Sequence, residues 1–194
     1  ITVAGQASRT GKKLIPSWQN NSVSRHMAGP LRLFFALWPD EATRKALSEW
    51  QSAISGRKVP PENLHITLAF LGEQPASAVP VLSRILESVT SDTISLKLYR
   101  MGYFSHNRIS WAGMTDTPAD LTKRYKVLAA ALIKESISYD KRNRFKPHIT
   151  LARHSSRPET ANLHPVIWHA NHVVLAESRL KQDKKEGHPH YIPI

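Results

Sequence analysis

Apolar positions recur along the chain in short blocks, some with a period of about two and others with the period of a helix. Residues 32–37 are a strand-length run, Arg-Leu-Phe-Phe-Ala-Leu. Trp38, Pro39 and Asp40 then open a turn, and Asp40 is placed to cap a helix, since its carboxylate can accept free N–H groups of the first turn. Residues 41–55 predict that helix, with Leu47, Trp50 and Ile54 on one face. Val59-Pro60-Pro61-Glu62 is a stiff loop, and residues 64–71 read as a strand. Residues 76–89 predict a second helix, residues 94–98 alternate as a strand, and residues 121–136 predict a long third helix. Tyr103-Phe104 and residues 109–112 flank Ser105-His106-Asn107-Arg108 as the arms of a hairpin. Further strands fall at residues 147–153, 166–168 and 173–178, and residues 191–194 close the last of them. Helices and strands interleave, but the short hairpin links argue for antiparallel sheets and hence an α+β fold.

Composition narrows the setting. A chain of 194 residues can build one compact domain with its own core. Hydrophobic content is 41%, ordinary for a globular protein, and no apolar run approaches the roughly 18 residues of a membrane helix. The formal charge is +12. That excess favours a polyanionic partner, through neutralised phosphates and released counterions. There is no cysteine, so disulfides and thiol chemistry are excluded and a cytoplasmic setting is expected. Residues 1–27 carry Arg9, Lys12, Lys13 and Arg25 with no acid, amid many Ser, Asn and Gln. A mitochondrial targeting peptide has a similar composition. The preferred expectation is that residues 1–30 are a vector-derived or disordered tail, with Arg25-His26-Met27 as the junction, and that residues 31–194 form the domain.

The chemistry lies in a repeat. His65-Ile66-Thr67-Leu68 and His148-Ile149-Thr150-Leu151 are two copies of His-x-Thr-Leu. On a strand, residues i and i+2 share a face. His65 and Thr67 therefore face one way, as do His148 and Thr150, while the apolar residues between them can bury. Histidine titrates nearest neutrality, so a pair can supply one neutral base and one protonated acid. A threonine hydroxyl two residues on can donate to an anionic oxygen. Two such units around one tetrahedral group suit a phosphate ester or cyclic phosphate. One copy alone would be an ordinary half-buried strand; the second copy changes that. Metal binding fits less well, because zinc sites gather three or four ligands and none of the other histidines forms His-Glu-x-x-His. His188 and His190 flank a proline in a polar stretch that reads as a solvated loop.

Paired His-x-Thr-x motifs resemble those of the two-histidine (2H) phosphoesterases. The run Leu31-Arg32-Leu33-Phe34-Phe35-Ala36-Leu37-Trp38-Pro39 is similar to that family's opening strand. Asn63 to Gly72 and Phe145 to Arg153 are similar to its two motifs. Together they most resemble RNA 2′,3′-cyclic phosphodiesterases of the LigT/ThpR type, also called 2′-5′ RNA ligases. Between the motifs and near Gln182-Asp183-Lys184-Lys185-Glu186 the likeness is weak. The resemblance implies a bilobal fold, with two pseudo-symmetric lobes of antiparallel sheet around a central cleft and helices outside. It implies His65 as proton donor and His148 as proton acceptor, with departure of the 3′-oxygen, a 2′-phosphate product and a reverse ligation. It also implies a phosphate contact for Arg153, although strict alternation puts Arg153 on the face opposite His148 unless a bulge or turn re-aims it.

Thr67 and Thr150 are candidate substrate contacts, and Phe34 could stack on a terminal base or be an ordinary core residue, Phe35 being the better core candidate. Lys146 and the run Lys141-Arg142-Asn143-Arg144 could steer RNA or be solvated. The expected enzyme needs no cofactor and no metal, acts on RNA or nucleotide cyclic phosphates as a monomer without an obligate protein partner, and has no membrane association. Two other readings stand beside it: a 2H enzyme for nucleotide cyclic phosphates or 2′-5′ oligoadenylates, and a non-catalytic RNA-binding module.

Overall fold

The computed structural model describes residues 29–89, 92–141, 145–159, 163–180 and 189–194. The N-terminal segment, Arg142 to Arg144 and the charged run 182–186 lie outside these residues.

The chain runs β1 (Leu31–Leu37), α1 (Glu41–Ser52), β2 (Arg57–Lys58), a 3₁₀ turn (Pro61–Asn63), β3 (Ile66–Gln74), α2 (Val79–Val89), β4 (Ile94–Leu98), β5 (Arg100–Phe104), β6 (Ile109–Gly113), α3 (Ala119–Lys134), β7 (His148–Arg153), β8 (Val166–Ala170), β9 (Val173–Leu180) and β10 (Pro189–Pro193). Asp40 is the N-cap of α1, its Oδ1 accepting the Thr43 N–H at 2.7 Å. The helix stops three residues before the expected end. Gly56, at φ +83°, explains the stop: a Cβ there would sit 2.7 Å from the Arg153 carbonyl. The chain leaves the helix to press its backbone on β7, and the two residues of β2 then pair with Arg153 and Ala152. A strand of two residues has no period to read, and the sequence showed only the stiff loop that follows it. Gln51, buried on α1, donates its amide to the carbonyls of Val59 and Leu151 at 2.8 Å each and fixes the helix to the second motif strand.

Every strand pair is antiparallel. One sheet has the order β10-β9-β1-β3-β7-β6-β5, with β2 also on β7, and β4 and β8 form a separate pair. Within the large sheet β3 and β7 meet at one residue pair, Ile66 with Ile149. The sheet is therefore two arms joined at a seam, and each arm holds one histidine motif. The core forms under it from Leu33, Phe35 and Leu37 of β1, Leu47 and Trp50 of α1, Leu82 of α2, Leu121 and Leu128 of α3, and Trp168 of β8. Burying each large apolar side chain contributes about 1.5–3 kcal/mol relative to leaving it in water.

Both motif strands carry a bulge at the same motif position. In β3, Ala36 pairs with Thr67 and Phe35 with Ala69, leaving Leu68 as the extra residue. In β7, Trp111 pairs with Thr150 and Ser110 with Ala152, leaving Leu151. Leu68-Ala69 and Leu151-Ala152 are thus consecutive buried residues, and alternation resumes one position late. The residue five places after each histidine is thereby turned to the motif face. It is Phe70 in one arm and Arg153 in the other.

Candidate active site

A cleft of about 400 Å³ opens where the two arms meet. His65, Thr67, His148, Thr150, Arg153 and Phe34 all line it, so the two histidines and the four expected substrate contacts reach one place. Each histidine is held by the chain just before it. The carbonyl of Asn63 lies 2.7 Å from Nδ1 of His65, and that of Lys146 lies 2.7 Å from Nδ1 of His148. A carbonyl can only accept, so Nδ1 carries the proton in each neutral ring and Nε2 is left for the cleft. Nε2 of His65 lies 3.2 Å from the Thr67 hydroxyl.

Aromatic rings set both imidazoles. Trp38 stacks on His65 at 5.5 Å and 15°, and Tyr191 meets it edge-on at 5.0 Å. Phe104 meets His148 edge-on at 5.0 Å. Burial pushes the His65 pKa down to about 4; the Asn63 carbonyl opposes this, while His148 and Arg153 add to it. Burial also lowers His148, opposed by the Lys146 carbonyl and reinforced by Arg153. Both rings are neutral at pH 7 in the free protein. Their folded-state values lie below the unfolded value of about 6.5, so the unfolded chain binds more protons as the pH falls. Stability is expected to decline from about pH 6.5 towards pH 4, with His65 the last to titrate. Proton NMR of the imidazole C–H signals checks this; a His65 midpoint near 6.5 would refute the buried setting.

Phe34 lies low in the cleft wall. Its parity does bring it to the cleft side, but it is only 2% exposed, with its ring 5.1 Å from His65 and 5.1 Å from Tyr191. It packs against His65 and Tyr191 while lining the cleft. His190 lies in strand β10, where a loop was expected. Lys146 is exposed and orients His148 through its carbonyl, while Lys141 lies over the Tyr139 ring at 4.9 Å and does not line the cleft.

Three contributors had no sequence signal of their own. Tyr191, from the last strand, touches His65 and interacts with Arg153; burial raises its pKa and that arginine draws it down. Asn63, buried, donates its amide to the Pro189 carbonyl at 2.9 Å and so ties β10 to the first histidine. Arg32 lines the cleft mouth with its guanidinium 5.0 Å above the Phe70 ring.

The family model described as LigT-like phosphoesterase matches residues 37–111. The RNA 2′,3′-cyclic phosphodiesterase of Escherichia coli is 29% identical over 172 residues, covering 87% of this chain and 96% of that one. The protein of the same name from Archaeoglobus fulgidus is 33% identical over 141 residues, 69% of this chain and 78% of that one. The chain belongs to the LigT-like phosphoesterases. Its fold agrees: Escherichia coli LigT in apo form superposes with a TM-score of 0.70 at 29% identity, covering 86% of this chain and 96% of that one. The same protein complexed with 3′-AMP gives 0.70 at 28% identity, covering 85% and 95%. The bilobal α+β architecture is therefore that of LigT-like phosphoesterases. In this member the matched segment contains the first motif, and the Ile66–Ile149 seam brings the second motif beside it.

Proposed function

We propose that this LigT-like phosphoesterase hydrolyses the terminal 2′,3′-cyclic phosphate of RNA to a 2′-phosphate by acid–base catalysis with His65 and His148, without a metal. The observation that carries this is the pair of Nδ1-anchored imidazoles whose Nε2 atoms are left for one cleft, with Arg153 in its lining. A cyclic phosphate presents an electrophilic phosphorus tethered to one ribose. One imidazole takes the proton of an in-line water, and the other gives a proton to the departing 3′-oxygen. Each transfer contributes about 10²–10⁴-fold. Thr67, Thr150 and Arg153 hold the non-bridging oxygens as charge builds on them. With a 5′-hydroxyl in place of water, the same ring-opening displacement, with the 3′-oxygen again leaving, forms a 2′-5′ linkage.

The resemblance makes His65 the donor and His148 the acceptor. His65 is the more strongly depressed of the two, so this order requires the substrate to restore its proton. A phosphate anion within a few ångströms does so by favouring the charged ring. Both arms lie on one chain, so one copy supplies both histidines, and the proposed working unit is residues 31–194 as a monomer. No helix among the described residues is long and apolar enough to cross a membrane.

Among the described residues no group of three or more His, Asp or Glu converges, whereas a catalytic zinc takes three protein ligands. The test is an oligonucleotide ending in a 2′,3′-cyclic phosphate, incubated with EDTA. Conversion to the 2′-phosphate is expected. Activity lost in EDTA and restored by a divalent ion would overturn the metal-free reaction. Turnover of free nucleotide cyclic phosphates with none of the oligonucleotide would overturn the RNA assignment.

A further inference from the structure

The matched bulges at Leu68 and Leu151 give the two arms a common geometry around the motifs, and the residue they turn to the motif face differs between the arms. Five residues after its histidine, the second arm places Arg153; the first places Phe70. The first arm takes its cation from the neighbouring strand instead. Arg32 on β1 extends over the Phe70 ring and lines the same cleft. We propose that Arg32 binds the internucleotide phosphate adjoining the terminal cyclic phosphate, so that the site selects RNA chain ends over mononucleotides. This rests on the reading of the cleft as an RNA cyclic phosphodiesterase.

The two arginines are not duplicates. Arg153 ends the strand that His148 begins and lines the cleft with both histidines, and its charge lowers the pKa of each. Arg32 lies on β1 over the Phe70 ring. Both arginines act on the Tyr191 phenol. The cleft lining thus holds two cations on different strands, Arg153 on β7 and Arg32 on β1, with the Tyr191 phenol interacting with both. A single cyclic phosphate can occupy only the first position. A chain end carries a further phosphate one backbone repeat away, on the 5′ side of the same ribose.

Arg32 is also available. It is exposed, and among the described residues no carboxylate lies within ion-pair distance of it. Arg179 on β9 of the same arm is instead held by Glu177 at 2.8 Å. Contact with Phe70 restrains the guanidinium beforehand, which lowers the entropic cost of docking a phosphate. Arginine suits this task because its planar fork matches two phosphate oxygens.

The experiment compares cytidine 2′,3′-cyclic phosphate with a dinucleotide ending in the same group, for the wild type and Arg32→Gln. The wild type is expected to prefer the dinucleotide. In the variant the ratio of the two kcat/KM values falls at least about tenfold, through KM, as expected for one lost charged hydrogen bond. The salt dependence of KM for the dinucleotide loses roughly 0.7 from its log–log slope, the share of one single-strand phosphate contact. An unchanged ratio would overturn the proposal. So would an equal fall on both substrates, which would place Arg32 at the reacting phosphate. Calorimetry with adenosine 3′,5′-bisphosphate against 3′-AMP gives a second measure: the wild type should favour the bisphosphate and Arg32→Gln should not. If the wild type hydrolysed neither substrate, the proposed reaction would fail, and the bisphosphate preference would still decide whether Arg32 holds a second phosphate.

Discussion

His65→Ala and His148→Ala are each expected to lower kcat/KM for a cyclic-phosphate oligonucleotide by at least about 10²-fold, and the double variant by little more than the worse single one. Near-redundancy is expected because the two proton transfers belong to one displacement; once either fails, the other has nothing to complete. The rings sit at the cleft wall, so their loss does not open the main core. His65 is nonetheless packed by Phe34, Trp38 and Tyr191, and truncation leaves space among those rings. His65→Gln fills more of that space and serves as the control. Circular dichroism should show the native fold in each variant while turnover is lost. A folded variant of either histidine that retained near wild-type turnover would end the acid–base assignment.

Arg153→Ala is expected to cost about 10²-fold in kcat/KM, and Arg153→Lys to recover only part of it, because an ammonium restores the charge without the two-pronged geometry. A second readout does not depend on turnover. Arg153 pushes the pKa of both histidines down, so its removal should move both imidazole titrations upward. An arginine that merely decorated the surface would leave those titrations where they are, and that result would remove Arg153 from the site.

The motif faces were legible in the sequence because they depend on alternation over three residues, too short a span for irregularity to intervene. Asp40 and the face of Leu47 and Trp50 were legible for the same reason: capping and helical spacing are local. What lay beyond a single sequence is non-local. The pairing of β2 with β7 depends on the close approach of Gly56 to a strand almost a hundred positions later. The bulges at Leu68 and Leu151 are visible only once the partner strands are known, although a bulge was the condition under which Arg153 could serve. Tyr191 came from an aromatic residue in a polar stretch with no period, and its place is set by pairing with Ser178. Phe34 shows a different limit. Parity chose its side correctly, but parity says nothing of what lies above a residue, and His65 and Tyr191 close over it.

The seam between the arms has a mechanical consequence. Ile66 and Ile149 are fully buried, and each directly follows one of the histidines. The spacing of the two imidazoles is thus referenced to a datum only one peptide unit from either ring, and dimensional errors elsewhere do not accumulate into it. Loops can lengthen, helices can shift by a fraction of a turn and outer strands can fray, while the working gap keeps its tolerance. Shaving that datum, as in Ile149→Ala, would alter the gap itself without touching a group that reacts.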